Sequence, residues 1–299
     1  MSRSHNAKNA KVAVLHYLRD ARLGAAVFLA IAVPLAGNAR ADVVVTPNSM
    51  GNWAFANADG SGAVGNNPGG SGGMVTGPAT PPLGVGSANL ATGNGTVFGD
   101  GAEILSNSAY AGTPLSSITA LSYSTYVTLN NGSQFPYLQL EVETSSGTFD
   151  QLFFEPPYQT PSSGNASLPN QGATAPVGSP AWQTWNALEG GWWDNNGTCG
   201  SQGAGVVSLS ACSTALGDPT IVNSFGTPGV LDGVGGLQFD VGFASPGDQF
   251  NGYVDAVSIG VGGNTTTFDF EPLPEPASIA MFGAALAGLA AVRRRFRRR

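Results

Sequence analysis

Between Ala41 and Arg293 the chain contains no lysine, arginine or histidine. The bases ahead of that stretch are Arg3, Lys8, Lys11, Arg19, Arg22 and Arg40, with His5 and His16 beside them; those behind it are Arg293, Arg294, Arg295, Arg297, Arg298 and Arg299. Seventeen carboxylates lie from Asp42 to Glu271 with no cation among them. Whatever this stretch folds into is therefore held by apolar packing and neutral hydrogen bonds, because no salt bridge can form within it. The same absence removes an imidazole base, a Schiff-base lysine, an arginine clamp for phosphate and every histidine metal ligand. Nucleic acid is excluded as a partner, since its binding draws on basic side chains.

A core is nevertheless affordable. Hydrophobic residues make up 42% of the 299, which argues against disorder, while 43 glycines and 20 prolines without a strict repeat argue against collagen and coiled coil. The apolar residues alternate instead of recurring every 3.6 positions. Leu121, Tyr123, Thr125, Val127 and Leu129 interleave with Ser122, Ser124, Tyr126 and Thr128; Leu138, Leu140 and Val142 interleave with Gln139, Glu141 and Glu143. Leu237, Phe239, Val241 and Phe243 repeat the pattern, as do Tyr253, Val257, Ile259 and Val261, where Asp255 interrupts the apolar side. Residues 265–270 make a last strand. Period 2 between Gly/Asn/Pro turns predicts strands, and several of them predict two stacked antiparallel sheets. The expected fold is all-β, an antiparallel, jelly-roll-like β-sandwich. The Gly-rich stretch 57–86 and the Pro-rich stretch 156–180 read as long connections without strands.

Both ends read as addresses. Residues 1–41 have scattered positive charge, a 13-residue apolar run at 23–35 and the small-x-small sequence Ala39-Arg40-Ala41, the layout of a signal peptide cut before Asp42. Residues 42–271 are then the secreted sandwich, and 272–299 a tail. In the tail, Pro274, Glu275 and Pro276 precede sixteen small or apolar residues, a short transmembrane helix by expectation, and then Arg293, Arg294, Arg295 and three more arginines. The arginines would hold that end in the cytoplasm, leaving the body outside the inner membrane.

Pro-Glu-Pro, a short apolar helix and a terminal arginine cluster resemble the PEP-CTERM sorting signal of Gram-negative bacteria. The resemblance implies export, recognition and cutting by an exosortase-type membrane protease, transient residence in the inner membrane, and delivery to the envelope or the extracellular matrix. It covers only the tail and carries no information about the body.

Within the body, Cys199 and Cys212 are the only cysteines, and in an exported chain they are expected to form a disulfide. Trp182, Trp185, Trp192 and Trp193 fall within twelve residues, followed by Asp194. Two readings stand: the rings fill the core, or they make a sugar site, with flat indoles for stacking and neighbouring amides and carboxylates for hydroxyls. Asp255, Asp269 and Glu271 come from the terminal strands and are either solvated or the oxygen ligands of a structural Ca²⁺. A loose similarity to carbohydrate-binding jelly rolls, some of which hold structural calcium, supports the second. Glu141, Glu143, Glu155 and Glu189 would allow a carboxylate-only glycoside hydrolase in principle, but no spacing singles out a pair and an enzyme is not expected. The expectation is an exported surface or matrix protein that binds the polysaccharide around it. The other reading is a purely structural biofilm or surface-layer component without a ligand pocket.

Overall fold

The computed structural model describes residues 43–58, 70–93, 102–130, 132, 134–172, 180–223, 234–241 and 249–272. The proposed signal peptide with Ala39, Ala41 and Asp42, the residues Pro274, Glu275 and Pro276, the terminal arginines and Phe243 lie outside them. Fifteen strands among the described residues form two sheets.

Sheet 1 is centred on β14 (Asn251–Val261). One side of β14 pairs along its length with β6 (Ile118–Leu129), which pairs in turn with β9 (Gln183–Asn186). The other side pairs first with β4 (Gly86–Ala91) and then with β15 (Asn264–Phe270). Beyond β4 lies β3 (Ser71–Thr76), and beyond β15 lies β1 (Val43–Val45). Sheet 2 runs β11 (Val207–Ser208), β10 (Gly191–Asp194), β8 (Phe149–Phe154), β7 (Tyr137–Glu143), β13 (Leu237–Asp240), β5 (Ala102–Asn107) and β2 (Trp53–Ala58), with β12 (Thr220–Ile221) also on β7.

The alternation produces the sandwich as expected. Leu121, Tyr123 and Val127 of β6 and Leu138, Leu140 and Val142 of β7 are buried in one core. Rings lock the sheets together: Trp53 of sheet 2 meets Phe268 and Phe270 of sheet 1 edge-on at 5.2 and 5.0 Å, and Tyr123 of sheet 1 meets Phe239 of sheet 2 at 4.9 Å. With no ion pair possible inside the body, apolar burial at roughly 1.5–3 kcal/mol per large side chain carries the fold.

Four expectations need correction. The sheets are not wholly antiparallel, because β1 runs parallel to β15. The Gly-rich stretch 57–86 contains β3, whose Gly72 and Gly73 still pair with Leu90 and Asn89. Leu129, expected inside, is exposed at the end of β6. Asp255 does not interrupt the buried side of β14. The register with β6 slips between Asp255 and Ser258, and Ala256 adopts φ 52. That β-bulge inserts one residue and reverses the parity, so Val254 and Val257 both point inward, while Tyr253 and Asp255 lie on the outer face.

One short helix departs from the β pattern: α1 (Leu209–Ala215), capped by the Ser208 side chain, which accepts from the Ala211 N–H. It carries Cys212, bonded to Cys199 as expected. No helix among the described residues is long and apolar enough to cross a membrane.

Candidate functional site

The outer face of sheet 2 carries two polar rows across adjacent strands. In the first, Gln151 of β8 and Gln139 of β7 both donate through Nε2 to Glu141 Oε1, the Gln151 bond measuring 2.9 Å. Gln139 Nε2 also reaches Gln238 Oε1 of β13 at 3.4 Å. The strand period places these side chains together: Gln139 and Glu141 alternate with the core residues Leu138, Leu140 and Val142, and Gln238 stands opposite Gln139 in the ladder. Two buried atoms of this row have no partner, the acceptor Glu141 Oε2 and the donor Gln238 Nε2. A buried polar atom left so costs about 1–3 kcal/mol.

The second row is aromatic and acidic. Trp193 of β10 stacks on Phe153 of β8, ring centroids 4.3 Å apart and planes 19° apart, and the two residues stand opposite each other in the ladder. The Trp193 indole donates to Glu155 Oε2 at 2.8 Å. Tyr137 follows, 6.1 Å from Phe153, and Asp240 lies opposite Tyr137 on β13. Trp193, Phe153, Gln151 and Tyr137 are half-buried, whereas Gln139, Glu141, Gln238 and Asp240 are buried.

Electrostatics follow from burial without cations. Burial pushes the Glu141 carboxyl up to about 7, with the Gln151 and Gln139 amides opposing and the charges of Asp150 and Asp240 reinforcing. Burial also raises Glu155, against the Trp193 indole bond. Tyr137 is held well above the usual phenol range by burial and by the neighbouring charges of Asp240 and Glu155. The face thus offers aromatic surface, carboxyl oxygens and amide donors, and no positive charge.

The tryptophan run does not form one site. Trp185 and Trp192 are wholly buried: the Trp185 indole donates to Thr125 Oγ1 at 2.8 Å and the Trp192 indole to the Ala187 carbonyl at 2.7 Å. Trp182 is half-buried on the other sheet's outer face, its ring 5.6 Å from Tyr126 and its indole bonded to the Pro78 carbonyl at 3.0 Å. Only Trp193 joins the rows described above. Adjacent residues of β10 point to opposite faces, and the turn between β9 and β10 carries the chain from one sheet to the other.

Asp194 serves the disulfide loop instead. Its carboxylate accepts the backbone N–H groups of Thr198, Cys199 and Gly200 at 2.7, 2.9 and 3.1 Å. Burial works to raise this carboxyl, but those donors and a hydrogen bond from Asp150 overcome it and hold it below the usual range. Asp150, the other half of the pair, is raised by burial.

Asp255, Asp269 and Glu271 do come together on the outer face of sheet 1. Burial raises Asp255 to about 7 and Asp269 to about 6, and the Glu271 carboxylate adds to the second shift. Asp269 Oδ1 is buried without a partner. The two Asp255 oxygens, however, face backbone donors, Leu83 N–H at 3.1 Å and Phe270 N–H at 3.3 Å. Among the described residues no group of three or more His, Cys, Asp or Glu is arranged to hold a metal ion.

Of the four glutamates, Glu141 and Glu155 share the outer face of sheet 2, Glu143 ends β7, and Glu189 follows β9. Glu189 borders a shallow hollow at the edge of sheet 1 with Thr119, Ser122, Thr184 and Asn186. Gln171 partly fills it, using both ends of its amide on the Asn186 backbone at 3.0 and 2.7 Å.

Sequence reasoning passed over Gln139, Gln151, Gln238, Tyr137, Phe153 and Asp240. A faint signal existed, since outward positions of β7, β8 and β13 carry long amides, acids and aromatics, whereas on β6 Ser122, Ser124 and Thr128 accompany a single aromatic, Tyr126. Which strands are neighbours decides whether those residues meet, and alternation within one strand does not report it.

The PEP-CTERM protein-sorting motif matches residues 272–295. No curated protein matches this chain, and no solved structure matches it.

Proposed function

We propose that this chain, exported as an exosortase substrate, is a carbohydrate-binding β-sandwich of the cell surface or extracellular matrix, with its binding face on the outside of sheet 2. The sorting motif makes it a membrane-anchored precursor that is cut for release. The carbohydrate reading rests on one observation: the half-buried Trp193–Phe153 pair stands on one outer face with the half-buried Glu155 carboxyl and Gln151 amide. A pyranose has an apolar ring face and hydroxyls that both donate and accept, and this face offers partners for each. Because the body has no cation, the glycan it suits is neutral; uronic or sulfated chains meet repulsion. No catalytic step is assigned to the carboxylates.

Calorimetric titration of the exported, released protein with neutral and acidic polysaccharides tests this, in calcium and in chelator. Saturable heat with a neutral glycan is expected, and Trp193→Ala should weaken it about tenfold, near the upper end for an aromatic contact. Heat lost on chelation would add a supporting calcium, for which Asp269 and Glu271 are the residues to replace. No heat with any glycan, or binding unchanged in Trp193→Ala, overturns the proposal. The other reading, a structural matrix component without a ligand, draws its support from the burial of Trp185 and Trp192.

A further inference from the structure

The fold ends where the sorting motif begins. Phe270, the last residue of β15, is wholly buried. Glu271 continues the pairing, its N–H donating to the Val45 carbonyl of β1 at 2.8 Å. Its side chain is occupied as well, Oε1 accepting the Val85 N–H at 2.6 Å. Pro272, the first residue matched by the motif, lies on Gly86. A Cβ on Gly86 would stand 2.2 Å from Pro272 Cδ, and one on Gly84 would stand 1.5 Å from Glu271 Oε1. Residues 83–86 therefore form a strap that only glycine at 84 and 86 lets the junction approach. Asp255 anchors strap and strand together by accepting from both Leu83 and Phe270.

Only Leu273 separates Pro272 from Pro274. From Pro272 to Ala277, where the apolar run starts, five residues span at most about 17 Å when extended. The precursor thus has no free linker between a folded strand and the motif its protease recognises. Proteases cut backbone that is accessible and free to adopt their geometry, and sites of nicking concentrate in exposed, weakly held segments. A junction paired to β1 and tied to a strap is not free in that way.

We propose that Glu271 and Pro272 gate the processing of the tail: the membrane protease acts when the junction lifts away from β1 and the 83–86 strap. Cleavage then tracks the population of the locally opened form, and the folded body sets the rate of its own release.

Pulse-chase measurement of precursor conversion in cells that contain the protease tests this with the full-length chain. Ten Gly/Ser residues inserted between Glu271 and Pro272 keep the matched residues 272–295 contiguous and Glu271 on β1, and should quicken conversion about tenfold, because opening is no longer required. Glu271→Ala, which removes the bond to Val85, should quicken it by a smaller factor in the native chain and not at all in the inserted one. Equal conversion of native and inserted chains overturns the gate. So does a Glu271→Ala effect of the same size in both backgrounds, since it would then act elsewhere than at the junction.

Discussion

Asp255 and Glu141 are both acids on outward strand positions, and both are almost wholly hidden, at 0% and 1% exposure; what meets them differs. Asp255, outside sheet 1, faces the backbone N–H groups of Ala256, Leu83 and Phe270. Glu141, outside sheet 2, faces two side-chain amides through one oxygen, and its other oxygen has no partner. Backbone donors are fixed by the fold, so a carboxylate matched to them is a structural tie. Side-chain amides can turn, so the bonds around Glu141 can shift without breaking the ladder. Equal burial thus separates into a staple on one sheet and an adaptable support beside the Trp193–Phe153 surface on the other, and the partners make the distinction.

Three measurements bear on that contrast. The largest effect is expected from Asp255→Ala, which leaves the buried Leu83 and Phe270 N–H groups without an acceptor and frees the strap. At about 1–3 kcal/mol for each orphan, the loss should be roughly 4 kcal/mol in denaturant unfolding. A loss below about 1 kcal/mol would show that the strap is held by something else.

The intermediate effect is the pH dependence contributed by Glu141. Its carboxyl is raised from 4.5 unfolded to about 7 folded, so the folded state binds the proton more tightly. The stabilisation is fully present below pH 4.5 and is lost as pH rises through 7, roughly 3 kcal/mol at most. The groups facing it are the Gln139 and Gln151 amides and the carboxylates Asp150 and Asp240. Stability followed from pH 4.5 to 7.5 should fall, and Glu141→Gln should flatten part of that fall. Parallel curves for the two proteins would mean the carboxylate finds compensation in solution.

The smallest effect is expected from Trp182→Ala. Trp182 joins Tyr126 and Tyr253 on the outer face of sheet 1, and ring pairs of this kind contribute about 0.5–1.5 kcal/mol. Stability should move by no more than that, and glycan binding should not move. If binding fell as it is expected to with Trp193→Ala, the site would belong to sheet 1 or to both sheets.

Much of the sandwich is legible in alternation, because a half-buried strand must put apolar residues on every second position. The bulge at Ala256 is not, since one inserted residue reverses parity without any compositional mark. It moved Asp255 from an apparent intruder in the core to the anchor of the strap. The grouping of Asp255 with Asp269 and Glu271 was readable from adjacent terminal strands, but the donors that occupy Asp255 arrive from residues 83 and 270, the first of them distant in the chain. The tryptophan run misleads for the same reason: a chain that crosses between sheets sends neighbouring rings to opposite faces.

What the amino-acid sequence determined alone was the export address, the absence of internal ion pairs, the β-class of the body and the pairing of its two cysteines. Each depends on residue type, local order or a simple count, and none needs to know which strands are neighbours. Strand order, the bulge, the fate of each tryptophan, the amide–carboxyl row on sheet 2 and the strap over the sorting junction were decided only by tertiary structure. Most of them arise from contacts between segments distant in the chain, as far apart as Val45 and Glu271, and local periodicity carries no record of which distant segment will lie alongside.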